Sequence, residues 1–95
     1  MRKVAREVLL EETARDAGRA WATACCHGLQ REGRALEGGW PGTLHEARTR
    51  GGAEARKALS DRSMPALTHD ELVLVARLTY DKAREWWRAQ LNAAP

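Results

Sequence analysis

The segment Gly38-Gly39-Trp40-Pro41-Gly42 cuts a chain that otherwise reads as helix former almost throughout. Paired glycines supply the left-handed conformations that close a helix, and a residue before proline is driven out of the α region. Two helix-start signatures follow this break. Thr43-Leu44-His45-Glu46 and Thr68-His69-Asp70-Glu71 each fit a capping box, in which threonine and glutamate satisfy one another's orphan amides. Leu67 precedes the second box and is placed to staple against Leu72. Between the boxes, Ser60, Ser63 and Pro65 mark a loop. This punctuation predicts three helices, over about residues 2–36, 44–60 and 69–92, in a single helical domain. Gly51-Gly52 is the point at which the short second helix could break.

Composition agrees. Alanine, leucine, arginine and glutamate dominate, isoleucine and phenylalanine are absent, and tyrosine occurs once. These are helix-forming residues, and the aromatic and β-branched types that strands prefer are scarce. The fold class expected is all-α, a small antiparallel bundle of three main helices. The first and third should form its spine, the third spanning roughly 35 Å at about 1.5 Å per residue.

Periodicity assigns the inward faces. In the first helix Leu10, Ala14, Ala17, Trp21, Ala24, Cys25 and Gly28 recur at steps of three and four. In the second, Leu44, Ala47, Gly51, Ala55, Ala58 and Leu59 share a face. In the third, Leu72, Val75, Ala76, Thr79, Ala83, Trp86, Trp87 and Gln90 fall within a sector of about 120°. Val73, Leu74 and Leu78 lie outside that sector. The first half of this helix is therefore apolar nearly all round, a pattern that calls for cover on both sides.

Charge excludes less than it permits. The net +3 is spread as five basic and four acidic groups in residues 1–27, seven and five in 28–62, and four and four in 63–95. No segment concentrates the positive field of a dedicated nucleic-acid binder. Thirteen arginines against three lysines point to a GC-rich bacterial genome. No apolar stretch follows Met1-Arg2-Lys3 as a signal peptide requires, and no run reaches the roughly 18 apolar residues of a membrane span. With only the adjacent Cys25 and Cys26 as cysteines, a reduced, cytoplasmic protein is expected, without membrane attachment.

Cys25-Cys26-His27 looks most like chemistry. Consecutive helical positions diverge by about 100°, whereas a tetrahedral zinc site needs pairs such as C-x₂-C or H-x₃-H on one face. Cys25 is expected in the core, with Cys26 and His27 near the surface, and no metal or cofactor is expected. Glu11-Glu12 reads as a solvated face and Asp70-Glu71 as capping. No phosphate loop, nucleophile elbow or H-E-x-x-H is present, so an enzyme is not expected.

The reading that remains is a non-enzymatic helical protein-interaction or regulatory module that self-associates as a homodimer. Its partner-binding candidates are Leu74 and Leu78 on the outer side of the third helix, with Trp40, Trp86 and Trp87 as aromatic anchors. Trp86 and Trp87 flank the apolar stripe, so each should hold one edge in the core. A small DNA-binding transcriptional regulator is the alternative, using Arg48, Arg50 and Arg56 of the second helix or Arg77, Arg84 and Arg88 of the third. Asp81 and Glu85 are spaced to pair with the latter three. A ligand pocket near Trp21, Trp86 and Trp87 is a third possibility. Leu67-Thr68-x-x-Glu71-Leu72 resembles the opening of a helix-turn-helix domain, but the glycine-centred turn and recognition helix do not follow, so no family is assigned.

Overall fold

The computed structural model describes residues 4–36 and 38–93. Three α-helices account for most of it: α1 (Ala5–Arg31), α2 (Leu44–Asp61) and α3 (His69–Ala93), with no strand among the described residues. The expected helix start near Arg2 lies outside the described residues.

The helix ends follow from local chemistry. Both capping boxes form. Glu46 N donates to Thr43 Oγ1 at 3.1 Å while Thr43 N donates to Glu46 Oε1 at 3.0 Å. Glu71 N donates to Thr68 Oγ1 at 3.2 Å while Thr68 N donates to Glu71 Oε1 at 3.0 Å. The first helix ends earlier than the sequence reading placed it, at Arg31 and not near residue 36. Gly33, at φ 71°, is the left-handed residue that stops it: Arg34 N donates to Leu29 O and Gly33 N to Gln30 O, the paired bonds of a Schellman motif. Gly38, at φ 65°, instead turns the loop beyond.

The second helix ends in the same motif built on the wrong residue. Met64 N donates to Leu59 O and Ser63 N to Ser60 O, which puts Ser63 at φ 53°. A Cβ in this region is strained by roughly 1–2 kcal/mol, and glycine escapes that strain. Ser63→Gly is therefore expected to stabilise the protein by about 1 kcal/mol, read as a higher urea midpoint with an unchanged slope.

Packing is up-down-up. The beginnings of α1 and α3 are joined by Arg6 and Glu71, and their later turns meet where Ala22 and Cys26 pack with Ala83 and Trp87. The two helices thus run parallel and share the most extensive contact. α2 runs against both, its Ala47 lying with Trp87 and its Leu59 with Leu10 and Val75. The core has two parts. One end is aromatic, with Trp21, Trp40 and Trp87 among Ala22, Cys26, Ala47 and Ala83. The other is aliphatic, with Leu10, Ala14, Ala55, Leu59 and Val75.

Between the two lies a waist of small residues. A Cβ on Gly18 would overlap the carbonyl oxygen of Thr79, and one on Gly51 would overlap the Thr79 hydroxyl. α1 and α2 therefore close on α3 at the same residue, Thr79, which is fully buried. This overturns the expected break at Gly51-Gly52. Both glycines are buried within one continuous 18-residue helix, because the gain from close helix contact outweighs their low helix propensity. The molecule is elongated, with extents of 44 × 28 × 19 Å. Its radius of gyration of 14.6 Å exceeds the roughly 12 Å of a compact chain of this size.

Candidate functional site

Of the five residues picked out for partner binding, the structure leaves one on the surface. Leu74 is 45 % exposed. Leu78 is half-buried and packs on the aliphatic cluster of Leu10, Ala14, Ala55, Leu59 and Val75, because α1 and α2 reach far enough round α3 to cover that flank. Trp87 is 1 % exposed and lies inside the core, not at its boundary. Trp86, one position earlier, is half-buried and packs against the aromatic cluster that holds Trp87.

Trp40 folds back as a lid. Its ring stands edge-on to Trp21 at 4.7 Å and 88°, and to Trp87 at 5.2 Å and 64°. Such offset geometry suits the aromatic quadrupoles. Gly42 makes it possible, since a Cβ there would come within 2.6 Å of both Trp21 Cη2 and Trp40 Nε1. The indole N–H groups of Trp40 and Trp87 are buried without a hydrogen-bond partner among the described residues. The three rings thus pack on one another inside the bundle, with little of their surface exposed.

The cysteines exchange the places expected of them. Cys26 is buried in the aromatic cluster, and Cys25 is half-buried beside it. The buried stripe of α1 does not continue from Trp21 to Cys25. It crosses to Gly18, Ala22 and Cys26, since the later turns of α1 face α3. Burial pushes the Cys25 thiol above its ordinary range, opposed in part by Arg50. A thiol held protonated in this way is a poor nucleophile. Among the described residues no group of three His, Cys, Asp or Glu side chains is placed to hold a metal ion.

The arginines do not share a surface. Arg50 lies 5.5 Å over the Trp21 ring and, with Lys57, lines a groove between α1 and α2. Arg56 lies on the other flank of α2, near Gly52 and a shallow hollow formed with Met64 and Leu67. Arg48 is exposed. Arg77, Arg84 and Arg88 are exposed along the back of α3. Their expected pairing with Asp81 and Glu85 is not formed among the described residues. Glu85 takes Lys82 instead, at 3.2 Å.

The groove has a volume of about 770 Å³. Its walls are Ala17, Ala20 and Ala24 of α1 and Ala53 and Ala58 of α2, with Trp21 among them. A cavity near Trp21 was one of the sequence expectations, but Trp86 and Trp87 take no part in its lining.

One feature of the surface escaped the sequence. Arg6 forms a two-pronged ion pair with Glu71, Nε to Oε2 at 2.7 Å and Nη2 to Oε1 at 2.8 Å. It also donates to the carbonyls of Pro65 and Ala66. One guanidinium thereby ties the start of α1, which has no side-chain cap, to the loop and cap of α3. The same carboxylate closes the Thr68 capping box. Arg6 first, and then the Thr68 amide, hold Glu71 down at about 2, against an ordinary value near 4.5. A lowered carboxylate pKa contributes stability that is complete above 4.5 and lost as pH falls toward 2. Glu71→Gln keeps a capping side chain but removes the charge. Wild type and variant should therefore differ in melting temperature at pH 6 and converge between about pH 4.5 and 2, by calorimetry. A difference that stays constant over that range would contradict the pairing.

Near this clasp four apolar side chains are exposed. Val4 is 58 %, Val8 36 %, Val73 57 % and Leu74 45 % exposed. Val4 and Val8 lie within a turn of Arg6, and Val73 and Leu74 within a turn of Glu71. Of the large exposed hydrophobic residues among those described, only Leu44 lies elsewhere, at the start of α2, a turn from Ala47 of the aromatic cluster.

Fold and surface together define a class: an up-down-up three-helix bundle, sealed by tryptophan at one end and presenting bare aliphatic side chains at the other. No helix among the described residues is long and apolar enough to cross a membrane. Compared with family models, curated proteins and solved structures, the chain matches none.

Proposed function

We propose that this chain is a non-enzymatic helical interaction module that binds protein through the bundle end bearing Val4, Val8, Val73 and Leu74, with a second copy of itself as partner. The observation that carries this reading is that four of the five large hydrophobic residues exposed among the described residues, Val4, Val8, Val73 and Leu74, lie at or near the starts of α1 and α3, which share one end of the bundle. Exposed hydrophobics scattered singly are ordinary; their recurrence at the same end of both α1 and α3 is what favours cover by a partner here.

The pKa shifts support a structural role for the groups concerned. Glu71 is tuned to hold a cap and a clasp, and Cys25 is tuned away from the thiolate. Neither is poised for proton transfer near neutral pH, where catalytic groups are most effective. Arg50 and Arg56 lie on opposite flanks of α2, which weighs against a single basic face on that helix.

Multi-angle light scattering over a concentration series tests the proposal. A mass rising from monomer to dimer by high micromolar concentration is expected. A strict monomer would remove self-association.

A further inference from the structure

We draw no further inference here: the strongest candidate, the alanine-walled groove between α1 and α2 beside Trp21, has a rim of mixed charge (Asp16, Arg50, Glu54, Lys57 and Asp61), and nothing in the structure shows what covers it.

Discussion

Trp87→Ala should cost about 3–5 kcal/mol of folding stability, the largest effect expected of any single truncation in this protein. The side chain is the largest of those fully buried, at 1 % exposure. Its loss removes the transfer energy of a whole indole and leaves a cavity that neighbours fill only in part. The cavity is hard to fill here because much of the surrounding cluster is alanine and the Trp40 ring is held by Trp21 and Gly42. Since small domains are stable by only about 5–15 kcal/mol, the variant should stand near the edge of folding. Urea denaturation followed by far-ultraviolet circular dichroism reads this directly. Trp86→Ala is the comparison: its side chain is half-buried, so a clearly smaller loss is expected. Equal losses for the two would mean that the aromatic end is not packed as described.

The second large effect lies at the waist. Gly18→Ala should destabilise by about 1–3 kcal/mol, even though alanine is the better helix former by about 1 kcal/mol. The new methyl would meet the Thr79 carbonyl oxygen, with Lys82 Cβ at 3.0 Å and the Ala83 amide nitrogen at 3.1 Å. Two of these are backbone atoms, which cannot rotate away. α1 and α3 would have to separate, and the clusters on either side of the waist would loosen with them. Gly28→Ala places the same change in the same helix where nothing lies within 4 Å, and it should stabilise by up to about 1 kcal/mol. The two substitutions have opposite signs, which thermal melts resolve easily. A gain at both positions would contradict the close approach of α1 to α3.

These two positions also show what a sequence can and cannot reveal. Gly18 and Gly28 look alike in one dimension, both being glycines within a helix pattern. Only the position of Thr79, some sixty residues away, separates them. The same applies to Gly51-Gly52, where a local reading sees a weak helix and the fold supplies the neighbour that keeps it whole. By contrast, both capping boxes are closed within four residues and were legible at once. So was the inner face of α3, because its six buried residues keep one 100° periodicity against a fixed pair of neighbours. α1 was legible only as far as Trp21. Its stripe then crosses the helix toward α3, and periodicity alone reports no such crossing.

The candidate site divides along the same line. Leu74 was identifiable because it lies opposite a well-defined stripe. Leu78 was not separable from it, since its cover comes from elements distant in sequence. Val4 and Val8 carried no signal at all, and their significance rests on Arg6 reaching Glu71 across 65 positions of chain. Trp40 sits in a Gly/Pro loop that a local reading leaves free to point either way. Its burial depends on Gly42 letting the loop close over Trp21.

Sedimentation velocity on the double variant Val73→Asp/Leu74→Asp, beside wild type, tests the central claim that the aliphatic end is a binding surface. Both residues are exposed, so the charges should leave the monomer folded, as a wild-type circular dichroism spectrum and melt would show. The predicted result is a dimer for wild type and a monomer for the variant at the same high micromolar concentration. A variant that sediments with wild type as a dimer, with its fold intact, would show that this end of the bundle is not where the chain binds its second copy.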